Sequence, residues 1–284
     1  MLKKILSLFV FIAVATVAVS SMASTEVVEE SADQTPSIVT TLPPPDMPVK
    51  AYVVFDIEAN EFLYTYNAEQ SLPIASITKL FAASAAHDTF DLEQVVTLEW
   101  ADLSSVGTAG QLQYGQSYTY RELLFPLLLS SSNNAALAFE RRINGDVTLP
   151  SQTESLFQEM IGLSLQFADA SGLSSGNLAT AQEIALAANA VRTSYPYIWN
   201  ITQLNQYVGP YHGWKNNSPF IVDDSYRGGK HGYTTAAGRT AVAVFAEDID
   251  GEEREFLYVL LGSTDLVQDM SKLRQYTLDS VVWR

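Results

Sequence analysis

Two short runs of β-branched and aromatic residues open the folded part of the chain. Ala51 to Ile57 and Phe62 to Tyr66 flank the turn residues Glu58 to Asn60. This pattern is typical of a β-hairpin. Near the other end, the runs RTAVAVFAED and REFLYVLLGS lie on either side of the polar turn IDGEE. They predict two further strands.

Helical periodicity fills the middle of the chain. SITKLFAASAAH predicts one helix, and RELLFPLLLSSSNNAALAFERR predicts two helices with a break at Pro126 and the serine run. Further helices are expected at about residues 154–165 and 180–192, with Thr180 as the N-cap of the second. A last helix is expected at about 265–279.

The order of these elements predicts the fold class. Strands come first, then many helices, then, after a loop-rich stretch to Arg227, two strands and one helix. The sequence contains no repeating βαβ unit and no internal repeat. We therefore expect a mixed α/β fold of the α+β kind. The first and last strands share one antiparallel sheet, and the helices form an inserted subdomain.

The N-terminal segment predicts export. Lys3 and Lys4 precede an apolar run from Ile5 to about Val19, and small residues end it at Ala23. This is typical of a signal peptide spanning residues 1–23. The alternative is an uncleaved membrane tether through residues 5–22, since a single span needs about 20 apolar residues. Either reading places the protein outside the cytoplasm, secreted or tethered.

A linker and one large domain are expected after the signal. Residues 24–49 are acidic and then rich in threonine and proline, which is typical of an extended spacer. Residues 50–284 are long enough for a catalytic domain with its own core.

Charge and composition exclude several functions. With 16 basic and 32 acidic residues the formal net charge is −16, which disfavours binding to nucleic acid or anionic lipid. The chain has no cysteine, so thiol catalysis and disulfides are excluded. Its three histidines form no close pair, so no metal site is expected.

Ser76 and Lys79, three residues apart in SITK, are the first candidates for chemistry. On a helix this spacing puts both side chains on one face. A lysine whose pKa is lowered by burial can remove the proton from a serine and make it nucleophilic. The structural alternative is a helix start whose lysine stem covers apolar surface.

Ser131 and Asn133 are the second pair. They lie at the break between two apolar helical runs, where a hydroxyl and an amide can point into a cleft. Ordinary helix capping is the alternative. Ser175 and Asn177 have the same spacing, but Ser131 is preferred because it follows a helix with a buried pattern.

The stretch GGKHGYTTAAG is the third element. Its glycines at 228, 229 and 232 let a backbone approach a bound chain closely, and Lys230 offers a charge for a carboxylate. Arg227 and Arg239 flank it, so basic residues cluster here in an acidic chain. The alternative is a glycine-rich strand entry with a solvated lysine.

Together the motifs SITK, SSN and KHG occur in the order of the Ser-x-x-Lys, Ser-x-Asn and Lys-Thr-Gly motifs of penicillin-binding proteins and β-lactamases. The chain resembles the low-molecular-mass penicillin-binding proteins, specifically the serine D-alanyl-D-alanine carboxypeptidases (peptidase family S11). LPIASITKL, LLLSSSNNAA, DASGL, NNSPF and GGKHGYTTAAG carry the resemblance from about Tyr52 to the last helix. It implies a β-lactamase/transpeptidase-like fold, peptidoglycan stem peptides as substrate, β-lactams as inhibitors, and no cofactor.

The resemblance also implies catalytic roles. Ser76 would attack the bond between two D-alanines, with Lys79 as general base, and water would then hydrolyse the acyl-enzyme. Ser131 would pass the proton to the leaving amine, and Asn133 would bind the substrate's amide. Lys230 would attract the terminal carboxylate.

The KHG motif and its neighbour complete the implied substrate site. His231 and Gly232 would line it, and the N–H groups of Ser76 and Tyr233 would form the oxyanion hole. His231 replaces the usual threonine, and an imidazole is bulkier and titratable. This departure leaves open the choice between trimming a terminus and cutting a cross-link. The extra C-terminal β-rich domain of several relatives is not expected.

Three other functions are alternatives to this hypothesis. A DD-endopeptidase on the same site is the main alternative, and a catalytically silent module that binds cell-wall peptide is another. A class A β-lactamase needs a glutamate, with an asparagine four residues later, that positions the deacylating water. We do not expect one between Ser131 and Lys230.

Overall fold

A computed structural model describes residues 36–38, 45–143 and 145–283 of the chain. The predicted signal or tether, residues 1–23, lies outside this range, as does most of the predicted linker. Among the described residues no helix is both long and apolar enough to cross a membrane.

A five-stranded antiparallel sheet forms the centre of the fold. Its order is β10-β11-β12-β2-β3, so strands from both ends of the chain meet as the sequence predicts. The strands of the described residues are β1 (Pro36–Ile38), β2 (Ala51–Asp56), β3 (Glu61–Tyr66), β4 (Leu72–Pro73), β5 (Val95–Thr97), β6 (Ser117–Thr119), β7 (Leu178–Ala179), β8 (Gln206–Val208), β9 (Gly213–Lys215), β10 (Tyr226–Thr234), β11 (Gly238–Ile249), β12 (Glu252–Ser263) and β13 (Val281–Trp283).

The helices lie mainly between β3 and β10, which confirms a helical insertion between the strands of one sheet. They are α1 (Thr78–Thr89), α2 (Tyr120–Leu128), α3 (Asn133–Glu140), α4 (Leu149–Ile161), α5 (Ala181–Ser194), α6 (Pro196–Gln203) and α7 (Leu266–Ser280). Short 3₁₀ turns cover Ala75–Ile77 and Trp100–Leu103.

Two hydrophobic cores cover the two faces of the sheet. On β2, Val53 and Phe55 face the helical insertion, whereas Tyr52 and Val54 face the side on which α7 packs. Alternate residues of one strand therefore enter different cores, because successive side chains point to opposite faces. The whole of β2 is buried, and its hydrophobic run reflects this.

Helix α1 runs through the middle of the helical core. Its residues from Thr78 to Ala86 are all buried, and four of them are alanines. Small side chains let neighbouring helices approach closely around it, and a helix buried all round needs no polar face. This burial fixes the position of Lys79, the second residue of the helix.

Several predicted boundaries were wrong. The helix at SITK begins at Thr78, so Ser76 lies in the preceding 3₁₀ turn. Pro126 lies inside α2, and the break falls at the serines that follow it. The stretch predicted as loop before Arg227 contains α6, whose first residue is Pro196, a residue that favours the first position of a helix.

The edge strand β10 of the central sheet and the pairing of strands β1 and β13 from the two ends of the chain were not predicted. The glycine-rich stretch belongs to the edge strand β10 itself and is not the entry to a later strand. Gly228 and Gly229 have φ of +102° and +144°, and a β-bulge lies between Tyr226 and Gly229. Within the predicted linker, Pro36–Ile38 pairs antiparallel with Val281–Trp283.

Candidate active site

A cleft of about 650 Å³ lies beside the edge strand β10, a size usual for a ligand site. Ser76 and Ser131 line its inner part. Residues 231–233 and Arg239 of the sheet line its outer part, with the start of α7. The three sequence motifs thus meet in one place.

The turn that carries Ser76 is held tightly between two glycines. A Cβ atom on Gly232 would lie 2.4 Å from the Ser76 nitrogen, and one on Gly172 would lie 1.9 Å from the Ala75 carbonyl oxygen. Only a residue without a side chain permits these approaches. Ala75, with φ of +50°, is in the left-handed region, which is rarely occupied by residues other than glycine and concentrates at functional sites.

Lys79 is fully buried beneath Ser76. Its ammonium lies 3.0 Å from the Ser76 hydroxyl oxygen and 2.7 Å from Asn133 Oδ1. It also donates to the backbone carbonyl of Ser171. Every contact is to an uncharged oxygen, so no carboxylate holds this lysine in its charged form.

The loop that supplies the Ser171 carbonyl is ordered by Asp169. One carboxylate oxygen accepts hydrogen bonds from the N–H groups of Ser171 and Gly172, and the other accepts from that of Ser174. Burial raises the pKa of Asp169, but a hydrogen bond from the Ser171 hydroxyl and these three backbone bonds hold it below its usual value. The DASGL stretch therefore shapes one wall of the lysine pocket.

Asn177 belongs to this wall and not to the cleft. It is fully buried, and its Oδ1 accepts from the backbone nitrogens of Ala168 and Asp169. Its Nδ2 donates to the hydroxyl of Thr78, 3.2 Å away. Ser175 and Asn177 share the spacing of Ser131 and Asn133 in sequence. In the fold, Asn177 joins the loop at Asp169 to the start of α1.

Ser131 lies opposite Ser76 and contacts the second lysine. Its hydroxyl accepts from Lys230 Nζ at 3.1 Å, and Lys230 also donates to the His231 carbonyl at 2.8 Å. Ser131 has φ of +58°. Asn217, in the NNSPF stretch, donates to the carbonyls of Leu129 and Ser130, the two residues just before Ser131.

Asn133 joins the lysine pocket to a surface loop. Its Oδ1 accepts from Lys79, while its Nδ2 donates to the Val106 carbonyl at 2.7 Å. The second hydrogen of Nδ2 remains for a substrate carbonyl. Asn133 therefore positions Lys79 in addition to the substrate contact that the sequence predicts.

Burial changes the charge state of both lysines. Desolvation lowers the pKa of Lys79 well below its usual value, and the nearby charge of Lys230 acts in the same direction, opposed by Asp169. Desolvation also lowers the pKa of Lys230 to about 7. Lys79 is thus suited to accept a proton, and Lys230 carries only part of a charge near neutral pH.

His231 and Tyr233 point to the outer part of the cleft, where Arg239 also lies. Burial lowers the pKa of His231 to about 3, and the charges of Lys230 and Arg239 contribute. The imidazole is therefore neutral at physiological pH. Although the imidazole is a titratable replacement for threonine, these effects keep its pKa away from neutral pH.

One glutamate does have the spacing of a β-lactamase water site, contrary to expectation. Glu140 has an asparagine four residues later, at position 144, which lies outside the described residues. The Glu140 carboxylate accepts from the Ala170 backbone nitrogen at 3.3 Å and does not line the cleft. It supports the loop behind Lys79. Within the described residues no cluster of metal-ligating side chains occurs.

Two site features were not predicted from the sequence. The Ser171 carbonyl is a backbone group, and only the turn-forming Asp-x-Ser pattern signals the bend that places it. Arg239 lies on β11, and its place beside Tyr233 follows from strand register.

Comparison with known proteins agrees with this geometry. D-alanyl-D-alanine carboxypeptidase DacB2 of Mycobacterium tuberculosis is 27% identical over 217 residues, which cover 72% of this chain and 73% of the relative. A D-alanyl-D-alanine endopeptidase of Escherichia coli K12 is 22% identical over 214 residues, covering 72% and 69%.

A solved structure shows the same fold. Penicillin-binding protein D2 from Listeria monocytogenes, in its cefotaxime-bound form, matches with a TM-score of 0.71 and 19% identity, covering 83% of this chain and 98% of that one. The family model described as D-alanyl-D-alanine carboxypeptidase matches residues 38–260. The chain therefore belongs to peptidase family S11, the serine D-alanyl-D-alanine carboxypeptidases.

Proposed function

We propose that this protein hydrolyses the terminal D-alanine of peptidoglycan stem peptides through an acyl-enzyme on Ser76. The observation that carries the proposal is the contact between Ser76 and the buried ammonium of Lys79, 3.0 Å apart with no carboxylate bound to the lysine. Membership of the family supplies the reaction class.

Acylation begins with the neutral form of Lys79. Because burial lowers its pKa, the amine takes the proton of the Ser76 hydroxyl as the oxygen attacks the substrate carbonyl. The N–H groups of Ser76 and Tyr233 stabilise the resulting oxyanion. One such donor contributes about 3 to 4 kcal/mol in other hydrolases.

Collapse of the tetrahedral intermediate breaks the carbon–nitrogen bond. The leaving amine needs a proton. Ser131 passes to it the proton that Lys79 took from Ser76, and Lys230 Nζ, 3.1 Å away, holds the Ser131 hydroxyl in place. Free D-alanine leaves. Water then attacks the ester carbonyl while Lys79 takes a proton from it. The bond to the Ser76 oxygen breaks, Lys79 returns the proton to that oxygen, and the shortened peptide leaves with a new carboxyl group.

The substrate peptide lies along the edge strand β10. Its sheet neighbour is β11 on one side only, so the other edge offers unpaired backbone groups to an extended chain. Asn133 Nδ2 offers a donor to the substrate's amide from the opposite wall. β-Lactams enter the same cleft as inhibitors, a proposal supported by the cefotaxime-bound relative.

Cleavage of cross-links is the second candidate. The relative from Escherichia coli is named an endopeptidase, and the cleft continues past Tyr233 to Leu266 at the start of α7. Such a continuation accommodates a leaving group larger than D-alanine. The silent binding module is disfavoured, because binding alone requires no lysine buried against a serine.

We further propose that the enzyme acts outside the cytoplasm, either secreted or tethered through residues 5–22. Peptidoglycan is assembled there, and the N-terminal sequence predicts export. Residues 24–49 would separate the catalytic domain from the membrane.

The direct test is release of D-alanine. Purified residues 24–284 are incubated with diacetyl-L-Lys-D-Ala-D-Ala and, separately, with a purified disaccharide-peptide dimer. The expected result is D-alanine from the first substrate at a rate that Ser76→Ala abolishes. Faster cleavage of the dimer would assign the endopeptidase activity. Binding of both substrates without cleavage would assign the silent module.

A further inference from the structure

Trp100 and Tyr114 form an aromatic pair on the surface of the helical insertion. Trp100 is 70% exposed and Tyr114 is 56% exposed, and their rings stack with centroids 4.6 Å apart and planes 9° apart. Every other stacked pair among the described residues contains the ring of a buried residue. Stacking covers one face of each ring, so the exposed area of this pair lies on the outer faces and edges. Open aromatic surface of this kind is typical of binding sites.

The two rings are held on a fixed backbone. Trp100 opens a 3₁₀ turn whose Asp102 is fully buried and accepts hydrogen bonds from Arg142 at 2.7 Å through both carboxylate oxygens. The backbone nitrogen that follows Tyr114 donates to the Leu98 carbonyl at 2.9 Å. A ligand would therefore meet rings that are already in place, which lowers the entropy cost of binding.

A pocket of about 570 Å³, named here the loop pocket, lies beside this pair and is lined by Leu103, Asn134 and residues within 105–113. Its size is usual for a small-ligand site. Side chains three residues apart on a 3₁₀ turn lie above one another, so Trp100 is on the same side as Leu103. Gln113, which directly precedes Tyr114, also lines the loop pocket. The two rings therefore border it.

The lining of the loop pocket is polar but uncharged. No acidic or basic residue lines it, although the chain has 32 acidic residues. Its polar side chains are those of Ser105, Thr108, Gln111, Gln113 and Asn134. The Thr108 hydroxyl and the Gln111 amide form no hydrogen bond with any described residue. A neutral ligand rich in hydroxyl and amide groups fits such a lining.

Asn134 gives the most direct sign of a ligand. It is only 8% exposed, yet it lines the loop pocket. Its Oδ1 accepts from the Ser105 nitrogen at 3.2 Å, whereas its Nδ2 donates to no residue of the described part of the chain. The Nδ2 atom is not fully buried. Its donor capacity is therefore open towards the pocket and available to a bound molecule.

The loop pocket adjoins the wall of the catalytic cleft. Asn133, whose Nδ2 donates to the Val106 carbonyl at 2.7 Å, directly precedes Asn134. The residues on either side of Val106, Ser105 and Gly107, line the loop pocket. The pocket and the amide-binding wall of the cleft are thus built from the same two short segments. A substrate held in the cleft can contact the pocket with a second, neutral part.

We propose that the loop pocket, with the Trp100–Tyr114 pair at its border, binds an N-acetylated sugar of the glycan strand that carries the stem peptide. A pyranose presents C–H faces that pack on aromatic rings, and its hydroxyl and acetamide groups match uncharged amide and hydroxyl side chains. An anionic ligand is disfavoured by the net charge of −16. The inference rests on the proposed function, because it names a second part of the same substrate.

Binding of a sugar without peptide tests the loop pocket separately from hydrolysis. Titration calorimetry measures the Kd of triacetylchitotriose, a neutral trimer of N-acetylglucosamine, for Ser76→Ala. We expect a Kd of about 1 mM, as is usual for contacts with one sugar unit. Adding Trp100→Ala should weaken binding at least about 10-fold, while Trp100→Phe, which keeps a ring, should retain part of the affinity. Thr108→Val should weaken it about 3-fold through loss of one hydrogen bond.

Turnover shows whether the sugar contributes while the peptide occupies the cleft. The wild type is given a disaccharide-pentapeptide and, separately, the same pentapeptide without sugar, and release of D-alanine is measured. The sugar-bearing substrate should have a KM about 5-fold lower with kcat unchanged, since the contact is made away from the reacting bond. Trp100→Ala should raise only that KM. A structural defect would slow release from both substrates.

Tyr66→Ala is the matched control. Tyr66 is 44% exposed and stacks on Tyr52 at 5.3 Å, but it lies on β3, at the opposite edge of the sheet from β10. The substitution also removes an exposed stacked ring, so a general loss of stability would occur in it too. We expect the trisaccharide affinity and both KM values to be unchanged.

Several results would overturn the proposal. No binding of the trisaccharide at about 10 mM, or equal binding after Trp100→Ala, would show that the loop pocket is not a sugar site, even if D-alanine is released. An affinity for the free pentapeptide that depends on Trp100 would assign the pocket to the peptide. If the trisaccharide binds through Trp100 but the wild type releases no D-alanine from either substrate, the sugar site stands and the proposed hydrolysis fails.

Discussion

The inner and outer halves of the cleft differ in how completely their charged groups are satisfied. The inner half is formed by Ser76, Lys79, Asn133 and the Ser171 carbonyl. Its lysine is fully buried and donates to three oxygens. The outer half, formed by His231, Tyr233, Arg239 and Asp265, opens to solvent, and its guanidinium has no carboxylate partner among the described residues.

This difference separates chemistry from recognition. A base must be neutral to accept a proton, and the inner half achieves this by excluding water and carboxylates from Lys79. The outer half keeps a permanent positive charge accessible at its rim, because the guanidinium of Arg239 stays protonated and lines the cleft. Lys230 lies between the halves, and its hydrogen bond to Ser131 joins them.

The largest effect should come from removing the base of the inner half. Lys79→Met should slow acylation of Ser76 by about 10³-fold, within the range that general bases contribute. Stopped-flow acylation with a fluorescent penicillin measures this. Lys272→Met, on the exposed face of α7, is the control and should leave the rate unchanged. A loss below 10-fold would show that another group takes the proton.

A side chain at Gly172, in the wall of the inner half, should destabilise the fold. Gly172 has φ of +80°, and a Cβ there would lie 1.9 Å from the Ala75 carbonyl oxygen. Gly172→Ala should therefore lower the free energy of unfolding by about 2–4 kcal/mol, which combines backbone strain and overlap. Urea denaturation measures it.

Gly115→Ala is the matched control for this wall. Gly115 has φ of +75° but no atom within 4 Å of the added Cβ, so only strain of about 1 kcal/mol is expected. Equal losses at Gly172 and Gly115 would mean that the contact with the Ser76 turn is not tight.

Lys230 should make stability depend on pH. Its folded pKa of about 7 lies below the usual 10.5, so between these values the unfolded state binds more protons. The free energy of unfolding should rise as pH increases from 7 towards 10.5, and Lys230→Met should flatten that rise. Urea titrations at several pH values measure it. A parallel rise in both proteins would assign it to other groups.

The smallest effect on the acylation rate is expected at His231. Its folded pKa of about 3 lies below the ordinary 6.5, so its contribution favours folding above pH 6.5 and is lost as pH falls towards 3. The melting temperature of His231→Thr minus that of the wild type should therefore be more positive at pH 4 than at pH 7. Acylation at pH 7 should change by less than about 5-fold, since both side chains offer one donor. A larger change would place His231 in the chemistry.

Much of the fold could be predicted from the sequence. The β2–β3 hairpin, the β11–β12 pair and the capped helix after Thr180 all have strong local signals, and the structure has them. Helix α6 was missed because a proline is expected to end a helical pattern, whereas Pro196 occupies the first position of a new helix. Strand β10 was interpreted as the entry to the following strand because its glycines weaken the strand pattern, although pairing with β11 imposes it.

The site could be predicted only where chemistry lies in side chains at fixed spacing. Ser76 and Lys79 lie three residues apart, so their spacing indicates contact, and the Lys79 ammonium lies 3.0 Å from the Ser76 hydroxyl oxygen. The Ser171 carbonyl has no side-chain signal, and the place of Arg239 depends on the register of two strands. The pKa of His231 depends on charges that meet only in the folded chain.

The most direct test of the central claim is the intact mass of residues 24–284 after incubation with benzylpenicillin. If Ser76 is the nucleophile, the wild type carries one covalent adduct per chain and Ser76→Ala carries none. No adduct on a folded wild-type protein between pH 5 and 9, or an adduct that persists in Ser76→Ala, would contradict the assignment of Ser76 as the nucleophile.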